Sequence, residues 1–251
     1  MTSEILPLDP NRRRALVVVS PPVWRRLDDE PEARALRRST EIAVVPDAHS
    51  SRSFGLAVPG GVLLPGRVYL QSPFRSDRYV EAGDAENTFA MERQRLYVGL
   101  CQLLGARKVE VLRVERVKSS HDQTVAVKGA YRGVGVTASA ASGVEQDLQR
   151  QLMDQALFAG GLPNLGEAVR FLEANGLASD PDFGQLLELR ESPNPLTSLE
   201  RDYSVTTSSR SILKLAAGLK IPALFGVDVS YQSSLREQTS VRVRSRIVFG
   251  G

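Results

Sequence analysis

The chain has 251 residues, 42% hydrophobic and 24% charged, with a formal net charge of +3. That length can bury a substantial core in one large domain or two small ones, and so mild a charge does not by itself imply a polyanion partner. A single cysteine, Cys101, and two histidines, His49 and His121, exclude an intrachain disulfide, a thiolate-rich metal centre and a multi-histidine site, so neither metal nor cofactor is expected.

At the N-terminus, "MTSEILPLDPNRRRALVVVSPP" sets its charges before a five-residue apolar run. That run is too short for the core of a signal peptide, and no glycine follows the initiator methionine for myristoylation. No run reaches the ~18 apolar residues of a membrane-spanning helix. The expected compartment is the cytoplasm.

"ALVVVS" (15–20) predicts a short buried strand that ends at Pro21 and Pro22. "DDEPEARALRRST" predicts a short helix, because Pro31 suits a first turn. "EIAVVP", "SFGLAVPGGVLLPG" and "RVYLQSP" are apolar runs cut by proline and glycine, read as brief strands and tight turns. The clearest helix spans about 85–104, with Phe89, Leu96, Leu100 and Leu103 on one face and Tyr97, Cys101 and Leu104 beside them. Gly105 supplies its stop. On that apolar side Cys101 reads as a buried, inert thiol rather than a nucleophile.

From 107 the pattern turns to strand. Val109 and Val111 share one parity and Leu112 and Val114 the other, the phase switch that a bulge produces. After the polar turn "SSHDQ", residues 124–137 predict the returning arm of a hairpin. The stretch "GAYRGVGVTASAASG" (129–143) holds little bulk, so Gly129, Gly133 and Gly135 are conformational candidates. They suit a bend, a close backbone approach or a hairpin weakly committed to its place. Residues 145–190 read as helical: one segment carries Leu148, Leu152 and Ala156 on a face, and two more begin near Asn or Asp. The chain then returns to β over 200–249, where Val241, Val243, Ile247 and Phe249 alternate with Arg242, Arg244 and Arg246, the strongest strand signal present.

Catalytic motifs are missing or out of context. "GVGVTA" fits a dinucleotide fingerprint, yet Val134, Val136 and Thr137 are β-branched and continue a strand. No phosphate-loop, H-E-x-x-H or G-x-S-x-G pattern occurs. Asp47, His49, Ser50 and Ser51, like Ser120, His121 and Asp122, are near neighbours in sequence and read as solvated turns. Asp28 with Asp29, and Asp180 with Asp182, read as helix starts. The row Arg242, Arg244 and Arg246 is the binding candidate for phosphates. Its competing reading is a solvated strand face paired to acids such as Glu200 or Asp202, since stacking aromatics are lacking there.

The expected fold is α+β: a twisted antiparallel sheet from two long β segments, 107–141 and 200–249, with a helical block on one face. An irregular β-rich region (1–80) precedes a sheet-and-helix core (81–251). The expected function is a non-catalytic cytosolic interaction or self-assembly protein whose partner is itself or another protein. The alternatives are a pore-forming β-hairpin protein acting at a membrane surface and, after that, an enzyme of unknown class. Nucleic acid is not expected as a partner.

Overall fold

The computed structural model describes residues 6–27, 29, 31–46, 55–118, 150–152, 155–192, 194–236 and 239–250. The fold is α+β and divides into two compact units, one from residues 1–89 and 208–236, the other from 90–207 and 237–251.

The first unit holds a four-stranded sheet of β1 (Ala15–Val19), β2 (Ile42–Pro46), β3 (Val68–Gln71) and β4 (Tyr79–Glu81), in the order β2-β1-β3-β4. β1 runs parallel to β2 and antiparallel to β3. Its unbroken apolar run is explained by burial on both faces. Ala15, Val17 and Val19 enter one cluster with Leu27, Leu36, Phe89 and Ile212, while Leu16 and Val18 enter another with Leu56, Leu63, Tyr69 and Tyr79. Pro21 stands in the first turn of α1 (Pro21–Arg25) and Pro31 opens α2 (Pro31–Arg37), as proline's fixed φ favours. Residues 55–66 form turns and a 3-10 helix (Pro59–Gly61) rather than strands.

Two segments expected as β are helical and belong to this unit. "ILKLAAGLK" opens with an alternation that imitates a strand, but Ile212, Ala216 and Leu219 repeat at helical spacing and are buried. They lie in and just beyond α6 (Arg210–Ala217), and Gly218 follows at its C-cap. "VSYQSS" supplies most of α7 (Tyr231–Arg236).

The second unit carries most of one long helix, two shorter helices and a second sheet. α3 (Ala85–Leu103) enters from the first unit. Its buried stripe is Ala90, Arg93, Gln94, Tyr97, Leu100, Cys101 and Leu104, so the burial is centred on Tyr97 while Leu96 and Leu103 lie half-buried at its margins. The helix stops at Gly105, whose φ of +82° needs glycine and where a Cβ would stand 2.2 Å from the Gly161 carbonyl oxygen. The chain turns there directly into β5 (Ala106–Lys118). With β6 (Gln155–Leu157), β7 (Ser198–Ser204) and β8 (Thr239–Phe249) it makes an antiparallel sheet in the order β6-β5-β8-β7.

The expected phase switch in β5 is a register shift between Val111 and Arg113, with Leu112 the extra residue. β8 is central, flanked by β5 and β7, and buries Val241, Val243, Ile247 and Phe249. α4 (Leu165–Ala174) and α5 (Pro181–Glu191) begin at Asn164 and Asp180, whose side chains accept from the amides of Glu167 and Asp182. One expected helix is shorter: residues 150–152 are helical, but Ala156 lies in β6, where Gln155–Leu157 pairs with Lys108–Glu110. The continuation of the hairpin beyond Lys118, with Gly129, Gly133, Gly135, His121, Leu148 and the "GVGVTA" stretch, lies outside the described residues, as does His49.

Candidate functional site

The alternation of β8 divides its side chains cleanly. Val241, Val243, Ser245, Ile247 and Phe249 face the core, and Arg242, Arg244 and Arg246 stand exposed on the other face. Register then fixes their neighbours. Arg246 lies between Glu110 of β5 and Glu200 of β7, Arg244 between Arg113 and Asp202, and Arg242 between Glu115 and Ser204. Arg244 grips Asp202 with two parallel hydrogen bonds, Nε to Oδ1 and Nη2 to Oδ2, both 2.9 Å. Arg246 Nη2 donates to Glu200 Oε2 at 3.1 Å.

The row offered as a phosphate-binding candidate, with an acid-paired strand face as its competing reading, is interleaved with four carboxylates, two of which hold Arg244 and Arg246. The Arg244 guanidinium, hydrogen-bonded to Asp202, holds that carboxyl below the usual range. A lowered folded-state pKa contributes stability above the ordinary carboxylate pKa of about 4, which is lost as pH falls through the lowered value. On this exposed face the contribution is small. Replacing Arg242, Arg244 and Arg246 together with Gln is expected to move the melting temperature by no more than about 3 °C. Calorimetry checks this, and a larger fall would mean the row bears structural load.

β7 is the edge of this sheet among the described strands. Phe249 donates its amide to the Thr197 carbonyl and Val205 donates to the Val241 carbonyl. In an antiparallel ladder these bonds alternate, so Leu199, Arg201 and Tyr203 exchange theirs with β8, and the amides and carbonyls of Ser198, Glu200, Asp202 and Ser204 point outward. The Ser204 carbonyl is capped by Arg93 Nε at 2.8 Å. Those of Glu200 and Asp202 bond to no described residue.

The inner side of β7 is held by a polar cluster that sequence periodicity did not reveal. Arg93 has 0% side-chain exposure, yet donates from Nη1 and Nη2 to the Asp180 carboxylate and from Nη2 to Asp182 Oδ2 at 2.8 Å. Its guanidinium also lies 4.9 Å from the centre of the Phe183 ring. Arg201 of β7 reaches the same Asp182 through Nη2 at 2.9 Å. Of the two acids read as a helix start, Asp180 caps α5 and Asp182 stands in its first turn, and they are also the counter-ions of two arginines. The signal available was an arginine inside the apolar stripe of α3. Tyr203 completes the inner side, stacked on Tyr97 with ring centres 4.1 Å apart and donating its hydroxyl to Gln94 Oε1. The edge strand is therefore backed by this cluster, while the outward amides and carbonyls of Glu200 and Asp202 meet no partner among the described residues.

Desolvation pushes the Tyr97 and Tyr203 phenols and the Cys101 thiol far above their ordinary values, so none of the three ionises near neutral pH. Cys101 is buried, as its place on α3 predicts. In the first unit an open groove of about 600 Å³ is lined by Leu36, Ile42, Leu215, Leu219 and Ile221 with Lys214 and Lys220. A smaller polar recess there holds Arg67 between Glu81 and Asp228. Among the described residues no group of three or more His, Cys, Asp or Glu is placed to hold a metal, and no helix is long and apolar enough to cross a membrane. Compared with known proteins, the chain matches no family model, no curated protein and no solved structure.

Proposed function

We propose that the chain is a non-catalytic interaction protein that accepts a strand of another polypeptide along the outer edge of β7. The observation that carries this reading is the pair of outward amides and carbonyls at Glu200 and Asp202, which bond to no described residue. Strand addition uses such groups for affinity and alternate side chains for specificity. The backing supports it too: with Arg93 and Arg201 anchored to α5, the edge is preorganised, and little ordering cost falls on binding.

The self-assembly version of the reading meets an obstacle at this edge. A two-fold interface pairs β7 antiparallel with itself. Registers centred on Glu200, Arg201 or Asp202 set Glu200 against Glu200, Glu200 against Asp202, or Asp202 against Asp202. Like charges directly opposite are destabilising, so the pattern guards the edge against its own copy.

The test is a selection of extended peptides on the folded chain, followed by a counter-screen on Glu200→Pro. That proline removes an outward donor that β8 does not use, so the variant keeps its ladder. Selected peptides are expected to bind Glu200→Pro at least about tenfold more weakly, a difference of roughly 1.4 kcal/mol. Its circular dichroism should stay unchanged. Peptides that bind both proteins equally would place recognition elsewhere.

A further inference from the structure

We infer that the strand accepted by β7 is basic on one face: it presents Lys or Arg at alternate positions opposite Glu200 and Asp202, and uncharged residues at the positions between. This rests on the strand-addition reading and adds the chemistry of the partner. The sheet's charged face is built in columns. β8 contributes Arg242, Arg244 and Arg246, and β7 contributes Glu200 and Asp202. Two of the three charged rows therefore end in a carboxylate in the outermost column, where the next strand out would meet them. Capacity remains there. Arg246 occupies Oε2 of Glu200, and no described residue donates to its Oε1. Asp202 carries one guanidinium on its two oxygens, leaving further acceptor sites on each. A cation on an added strand would extend the alternation that already runs from Glu110 through Arg246 to Glu200.

The opposite face of β7 sets the intervening positions. Leu199 is half-buried there and Arg201 is held against Asp182, so a second cation on that side would meet the Arg201 guanidinium. Alternation, rather than total charge, is what the edge reads.

The experiment uses the full chain and three capped peptides of about seven residues, the length of β7. One alternates lysine with valine and threonine, one replaces its lysines with glutamate, and one has the same composition with its lysines in a block. Affinity is measured by titration at about 0.15 M salt, where loose electrostatic attraction is screened, and the binding site by amide exchange. The alternating lysine peptide is expected to slow exchange at Glu200 and Asp202 and to bind about tenfold or more tightly than either control. In Glu200→Gln with Asp202→Asn, the preference over the glutamate peptide is expected to vanish while exchange is still slowed. Equal binding of the lysine and glutamate peptides, both slowing those two amides, overturns the basic partner and leaves strand addition standing. A preference unchanged in the double variant overturns it as well. If no peptide slows those amides, the strand-addition reading itself fails.

Discussion

Ending the chain after residue 237 is expected to unfold the second unit. β8 is hydrogen-bonded to β5 on one side and β7 on the other, so its loss takes from β7 its strand partner among the described residues, leaves β5 paired there only with the three-residue β6, and opens the core. Val241, Val243, Ile247 and Phe249 are nearly or fully buried. Burying four such side chains contributes on the order of 6–12 kcal/mol before conformational entropy, comparable with the whole net stability of a domain. The single tryptophan, Trp24, lies in the first unit and the stacked Tyr97 and Tyr203 in the second. Partial loss of the near-ultraviolet tyrosine circular dichroism, with the buried Tyr69, Tyr79 and Tyr231 of the first unit still contributing, reports the expected result. A truncated chain that keeps that signal and its melting temperature would show that β8 is not central.

Arg93→Met is expected to cost about 3–5 kcal/mol. The variant keeps much of the volume but removes the donor that Asp180, Asp182 and the Ser204 carbonyl share, leaving Arg201 as the guanidinium on Asp182. Removing one partner of a buried ion cluster costs far more than the cluster contributes against an apolar replacement. Adding Asp180→Asn should therefore recover part of the loss, since an asparagine can still cap α5 and carries no charge. Urea denaturation of both variants checks the sign. A midpoint unchanged in Arg93→Met, or lowered further by Asp180→Asn, would contradict the role given to the cluster.

How much of this was legible in the sequence follows from which patterns have a single physical cause. Strict alternation in β8 and the parity switch at Leu112 have one cause each, and both were readable. So was the pairing of arginines with Glu200 and Asp202, because opposite charges at matched strand parity meet across a ladder. "ILKL" misled because four residues fit both periods, and the helix declares itself only when Ala216 and Leu219 are counted with Ile212. β6 was illegible for another reason: three residues hold no period, and Gln155–Leu157 is a strand only because β5 lies beside it. The Arg93 cluster depends on α5 meeting α3, a tertiary event that no local pattern encodes. That β7 lies at the edge among the described strands is likewise a property of strand order, not of the composition of Ser198–Ser204.

The claim on which the proposed function stands is that β7 keeps one side of its backbone free. Native-state amide exchange, followed residue by residue in the unliganded chain, tests it most directly. Leu199, Arg201 and Tyr203 donate to β8 and are expected to exchange slowly, whereas Glu200 and Asp202 exchange at close to the rate of an exposed amide, giving a period of two along the strand. Glu200 and Asp202 protected as strongly as their neighbours would mean that the edge is already covered, and that β7 is not where a partner strand docks.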